Sequence, residues 1–448
     1  MKYICFIIAI LGILPAATIL ACDRALMRLA TLGLILPLLM FNSTAINFFS
    51  KEFYRGTSRG MEISIIYIVA VIILLALSFR HGRIVNPFPD WGSRIYLIYF
   101  AWSLNSLQNA GSLSVSCFEL WKMVMIYLVF LAVYHYLESS NGDLDIIFYG
   151  IGIVVFINFL TIVYQHLIGI YQVRGVFPHQ NSLAMYMLAV APIFFSRYFN
   201  HVEGWRSRLY FLLFALSSAT LIRTYSRGAI ACYPLAALVT LLCSIRWHLT
   251  LRKMYIMALL TIIGAIGVSS FLPRIIERFE KAPESSARTR RNLAIAALNM
   301  IQDKTIAGVG VNNWGIKINP PYEYSTHREG GRYTDEFKDG IVETVYLLVC
   351  AECGVPGLLL FLAWFGFYYV SSFRLLKRLR NTRYYYLPAG VLGGMTGILL
   401  QSCLEWVLKQ QINFMLMTIL FACISYLNRH YRELSETAEQ PVPAGEKA

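Results

Sequence analysis

The chain has 448 residues, 57% of them hydrophobic and 14% charged, with a mean hydropathy of +0.56. So apolar a composition excludes a water-soluble enzyme. The formal charge of +14 lies in short segments between apolar runs, not on a polar basic face with interleaved aromatics, which speaks against nucleic acid and for anionic lipid as the partner of most cations.

A transmembrane helix needs about 20 mostly apolar residues, and runs of that kind recur along the chain. The first, Tyr3 to Leu20, could pass for a signal peptide, with Lys2 ahead of it and Ile19-Leu20-Ala21-Cys22 at its end. The apolar continuation from Leu26 to Phe41 favours a membrane span instead. Further spans are expected over Met61 to Phe79, Ile95 to Leu107, Cys117 to Leu137, Leu144 to Ile168, Ser182 to Phe199, Leu209 to Ile222, Ala229 to Ile245, Met254 to Leu272, Val342 to Ser372, Tyr385 to Cys403 and Ile412 to Leu427. The expected fold is therefore all-α and polytopic, with about 12 to 13 transmembrane helices. No internal period is visible, which weakens a transporter built on repeats.

Positive-inside asymmetry sets the orientation. Arg374, Lys377, Arg378, Arg380 and Arg383 crowd one short connection and Arg246, Arg252 and Lys253 another, so both are expected in the cytoplasm. The chain then divides into N-terminal spans (1–272), a long external loop (273–341), C-terminal spans (342–432) and a polar cytoplasmic tail (433–448) expected to be disordered. Within the loop, Ser285 to Gln302 sets Leu293, Ala297, Met300 and Ile301 on one helical face, the pattern of an amphipathic helix lying on the membrane. Gly308-Val-Gly310 and Asn312-Asn313-Trp314 then read as a turn.

The cations and acids at apolar boundaries carry the chemistry. In Arg223-Thr-Tyr-Ser-Arg227-Gly, two guanidinium groups stand at the outer mouth of two apolar segments, where a charge is a functional candidate. A planar fork that stays ionised suits phosphate, whereas snorkelling to headgroups is the structural alternative. Arg288, Arg290 and Arg291 open the loop helix on the same side, so two arginine sites could clamp a diphosphate. Glu343, at the outer end of the helix that carries Tyr346, could act as a general base or merely satisfy a helix dipole. His179 and Asn181 open another span, and His327 lies in the loop. Glu405, Lys409, Gln410 and Gln411 form a polar turn between the last two spans. The nine cysteines are scattered, and Cys350-Ala-Glu-Cys353 lacks the second ligand pair of a metal site.

These residues together resemble the O-antigen ligase and O-antigen polymerase family of bacterial envelope enzymes. The matching pieces are Gly175-Val-Phe-Pro-His-Gln-Asn181-Ser-Leu-Ala184, Ser226-Arg227-Gly228-Ala229, Arg290 through Asp303 to Gly308-Val-Gly310, Glu343-Thr-Val-Tyr346-Leu, and Glu352-Cys-Gly354-Val-Pro-Gly357. The resemblance implies a GT-C type membrane glycosyltransferase at the periplasmic face of the bacterial inner membrane. Such an enzyme takes a glycan from an undecaprenyl diphosphate carrier and gives it to a glycan or lipid acceptor, with neither cofactor nor metal. It further implies that Arg227 and Arg290 stabilise the diphosphate, with Arg223, Arg288, Arg291, His179, Asn181 and Tyr346 as candidate substrate contacts. Ligases of the family have a His-Asn pair where this chain has Glu343-Thr344, which favours a polymerase or exopolysaccharide enzyme over transfer to lipopolysaccharide core. The rival expectation is a lipid-linked glycan flippase or other transporter, which would place polar groups near the bilayer midplane in broken helices.

Overall fold

A computed structural model describes the chain except residues 1, 37–44, 52–53, 201–203, 246–250, 252, 256–283, 323, 326–327, 330–331, 334–339 and 440–448. In chain order its elements are α1 (Lys2–Leu11), α2 (Ile13–Cys22), α3 (Arg24–Ile35), β1 (Ala45–Ser50), β2 (Gly60–Ser64), α4 (Ile65–His81), α5 (Trp91–Asn105), α6 (Leu113–Ser139), α7 (Leu144–Leu167), α8 (Gln180–Asn200), α9 (Trp205–Arg223), α10 (Arg227–Ser244), α11 (Glu284–Asp303), α12 (Trp314–Lys317), β3 (Arg328–Glu329), β4 (Arg332–Tyr333), α13 (Val345–Arg378), α14 (Tyr386–Gln401) and α15 (Gln411–Glu439). The span expected over Met254 to Leu272 falls largely outside the described residues, as does His327.

The protein is an all-α polytopic membrane protein. Among the described residues, six helices are long and apolar enough to cross a membrane: α6, α7, α8, α10, α13 and α15. Shorter helices account for much of the difference from the expected number of spans. The 16 residues of α14 reach about 24 Å at 1.5 Å per residue, short of the roughly 30 Å hydrocarbon core. That helix is buried along nearly its whole length, so protein rather than lipid surrounds it. Its glycines permit this: a Cβ on Gly394 would meet the Ala189 carbonyl at 2.6 Å, and one on Gly393 would overlap the Thr240 hydroxyl. Small residues let α14 approach α8 and α10 backbone to backbone, as in membrane helix pairs generally.

Two local signals set helix ends. Asp90 and Ser93 form a reciprocal capping box at the start of α5, and Gly82, at φ +61°, closes α4. The antiparallel β1–β2 hairpin, pairing Ala45 with Ser64 and Asn47 with Glu62, takes the first residues of the span expected from Met61, so that helix α4 begins only at Ile65, behind Ser64 as its cap. At the other end of the chain, α15 continues to Glu439, past the expected start of the tail at 433. The Ser435 hydroxyl holds that last stretch by donating to the Arg378 carbonyl at 3.0 Å.

Helix α11 does not lie with its apolar face in lipid. Leu293, Ala296, Ala297 and Met300 are buried in a second core with Val309, Trp314, Ile318, Val342, Leu348 and Ala351. An amphipathic pattern fixes which face is hidden, not what hides it, and here the loop's own turn and α13 cover it.

That turn is bolted to a break in α13. Gly354, at φ +73° and ψ 177°, interrupts the helix, and the carbonyls this frees are taken up from outside. Ala351 accepts from Val309 N at 2.9 Å and Glu352 from Gly310 N at 3.0 Å, while Cys353 accepts from Trp102 Nε1 at 2.9 Å. A Cβ on Gly354 would lie 2.0 Å from the Ile306 carbonyl oxygen. Gly354→Ala is therefore expected to cost about 3 kcal/mol or more, seen as a sharp loss of monodisperse protein and a lower melting temperature in detergent.

At the same end, a buried charge network ties distant segments together. Glu119 and Lys122 on α6 pair at 2.7 Å, and Lys409 Nζ lies 3.2 Å from Glu119 and 3.6 Å from Glu352. The Thr57 and Ser58 hydroxyls donate to Glu119 at 2.7 and 2.8 Å. Asn312, at φ +56°, accepts from Thr57 N at 2.9 Å and donates to the Ser58 and Val115 carbonyls. The predicted turn is thus a fastening between loop and bundle.

Candidate active site

Beside this fastening, five polar side chains from separate segments meet at one end of the bundle. Asn181 sits in the first turn of α8, behind a loop held by Gln165 Oε1, which accepts from Arg174 N and Gly175 N at 3.0 Å each. Arg227 opens α10, directly after Tyr225 and Ser226; Tyr225 takes a left-handed backbone at φ +52°, uncommon for a bulky residue. Arg290 projects from α11. Glu343 precedes α13, whose first amide, Val345 N, donates to the Ser402 carbonyl at 3.0 Å. Glu405 lies in the turn after α14.

Arg290 joins the two acids. Its Nε pairs with Glu343 and its Nη2 stands 3.7 Å from Glu405 Oε1. Asn181 Nδ2 donates to Glu405 Oε1 at 2.6 Å. Burial, and then the Glu343 charge, push the Glu405 carboxyl up to about 7, against the Asn181 hydrogen bond and the charges of Arg290 and Arg227. A carboxyl so poised gains or loses a proton near neutrality.

Several buried polar atoms nearby have no hydrogen-bond partner among the described residues: Ser226 Oγ, Ser402 Oγ and both side-chain ends of Gln401. Gln401 packs beside Gly228, so this polar group lies between the start of α10 and the end of α14. Buried polar atoms are costly unless paired, and hydroxyl or phosphate oxygens of a ligand would pair them.

The structure divides the other sequence candidates. Arg223 points to His166, with Nη1 3.5 Å from Nε2. Arg288 and Arg291 are exposed, on a different face of α11 from Arg290. The Tyr346 hydroxyl donates to the Leu399 carbonyl at 2.7 Å, which ties α13 to α14. His179 accepts from Asn181 N at 3.2 Å through Nδ1; burial and the Arg174 charge hold its imidazole below the usual value. Glu405 is the residue that the sequence reading placed in a polar turn, favouring a plain loop over contact with substrate and giving it no role of its own. The available signal was an acid next to a tryptophan, on the same side as Arg227 and Glu343.

Residues 212–362, about a third of the chain, match the profile of the O-antigen ligase family. The match includes Arg227, Arg290 and Glu343, while Asn181 and Glu405 lie outside it. No curated protein matches the chain.

Proposed function

We propose, from the match of residues 212–362 to the O-antigen ligase family and the six helices long and apolar enough to cross a membrane, that the protein is a membrane enzyme of glycosyl transfer, moving a glycan from undecaprenyl diphosphate to an acceptor sugar hydroxyl at the periplasmic face of the inner membrane. The carrying observation is that Arg227, Arg290, Glu343 and Glu405 converge from four segments. Two guanidinium groups beside two carboxylates suit a reaction in which a diphosphate departs and a hydroxyl loses its proton.

The acceptor oxygen attacks the anomeric carbon, and the bond from that carbon to the diphosphate oxygen breaks. The electron pair leaves with the diphosphate, whose growing charge Arg227 and Arg290 stabilise. The hydroxyl proton passes to a carboxylate. We assign that role to Glu405 rather than Glu343, because Glu343 is engaged with Arg290 and a base works best with a pKa near the working pH. Glu343 then orients Arg290 and keeps Glu405 basic. The diphosphate is the leaving group and the glycan arrives already activated, so the step calls for no nucleotide or metal.

The test is to reconstitute the full chain in nanodiscs with its host's undecaprenyl diphosphate-linked glycans and follow products by gel and mass spectrometry. Longer lipid-linked chains are expected of a polymerase, and glycan on an added lipid of a ligase. Flipping of the same donor in liposomes without transfer would instead establish a transporter.

A further inference from the structure

A cavity of about 300 Å³ opens beside this site. Its walls include Trp121, Trp406, Gln410, Gln411, Arg59 and Glu62, with Ser182 beneath them. Neither arginine of the site nor either of its carboxylates lines it. The two spaces share a wall nonetheless, because Ser182 follows Asn181 and Trp406 follows Glu405 in the chain, and Asn181 and Glu405 are hydrogen-bonded to each other.

We propose that this cavity is an acceptor subsite that holds one or two uncharged sugar rings, with a hydroxyl directed past Trp406 toward Glu405. This rests on the glycosyl-transfer reading and supplies it with the second substrate.

The lining chemistry selects carbohydrate over other occupants. Indole faces cover the apolar C–H surface of a sugar ring while leaving its hydroxyls free. Amide side chains both donate and accept, matching neighbouring hydroxyls that do the same. Gln410 Oε1 is buried without a hydrogen-bond partner among the described residues, so the wall offers an acceptor that a sugar hydroxyl would satisfy. Trp121 is held in place by its Nε1 donating to the Glu62 carbonyl at 2.9 Å. An isoprenoid or acyl tail is a poor match, because Pro178 and Ile412 are the only aliphatic side chains of a lining otherwise made of polar, charged and indole groups and glycine. A phosphate is also a poor match: Lys122 is already paired with Glu119, and Arg59 faces a wall that also carries Glu62. The volume lies at the small end of ligand sites, which span about 300–1,000 Å³, the class of a mono- or disaccharide.

The probe is the lipid-free oligosaccharide released by mild acid from the host's own lipid-linked glycan. Its binding to the full chain in nanodiscs, without donor, is read by saturation-transfer NMR. Wild-type protein is expected to bind, and Arg59→Ala and Gln410→Ala each to weaken binding at least tenfold with unchanged melting temperature. In the transfer assay the same variants should raise the acceptor KM and leave kcat within about twofold. Arg227→Ala should bind the oligosaccharide as wild type does. No binding to wild type, or variants that bind normally, overturns the subsite even if transfer is active. Binding that both variants weaken supports it even if transfer is never seen, and the enzyme reading alone then fails.

Discussion

Arg227→Ala and Arg290→Ala are each expected to lower the transfer rate by about 10²–10³-fold, the usual cost of removing one group that stabilises charge developing on a leaving oxygen. Protein level and melting temperature should change little, because Arg290 is partly exposed, with its side chain at 39%. Lysine at either position should rescue only weakly, since a point charge cannot reproduce a two-pronged contact with two phosphate oxygens. Arg288→Ala and Arg291→Ala are the internal controls. They sit within one turn of Arg290 and carry the same charge, but they face solvent, so a general loss of basic surface would affect all three alike. Rates of all six variants against wild type, on reconstituted protein with donor in excess, decide the matter. Equal activity of Arg290→Ala and Arg288→Ala would remove Arg290 from the mechanism.

The second large effect is on pH dependence. Glu405 must be ionised to accept a proton, and its carboxyl lies near 7 instead of the usual carboxylate range. Activity should therefore be present above pH 7 and fall roughly tenfold per unit as pH drops below it. Glu405→Gln should remove this acid limb along with about 10²–10⁴-fold of the rate. Glu343→Gln works in the opposite sense on the limb's position. It deletes a negative neighbour that raises Glu405 and frees Arg290 to attract it, so the midpoint should shift to lower pH even as the rate falls. Profiles of kcat/KM from pH 5 to 9 for the three proteins check both signs. A limb that stays in place in Glu405→Gln would exclude Glu405 as the base.

Much of this architecture was legible because membrane proteins write their constraints plainly. A charge at the edge of an apolar run is expensive, so Arg227, Arg290 and Glu343 stood out one by one, and alternation of spans put them on one side. What could not be read was partnership across distance. Glu405 meets Asn181 across 224 residues of chain, and nothing local to a polar turn announces that. Arg223 and Arg227 stand four residues apart in one short connection, but the left-handed backbone at Tyr225 lies between them and they serve different neighbours. The face of α11 was predicted correctly and its environment was not, because lipid and a buried tryptophan ask the same thing of Leu293 and Met300. The helix break at Gly354 left only a glycine and a following proline as its trace.

The buried network around Glu119 bears on how the chain is made. Helix α6 carries its buried acid and base one turn apart, so these two charges can offset each other in the membrane before their other partners exist. Lys409 is synthesised 287 positions after Lys122, the residue whose ammonium its carbonyl receives, and Asn312 follows Ser58 by 254. This end of the bundle therefore stays unfinished until almost the whole polypeptide has emerged. A ribosome stalled before residue 409 would display Arg227 and Arg290 on an end that has not yet locked, so the site is completed only once the turn between α14 and α15 has been made.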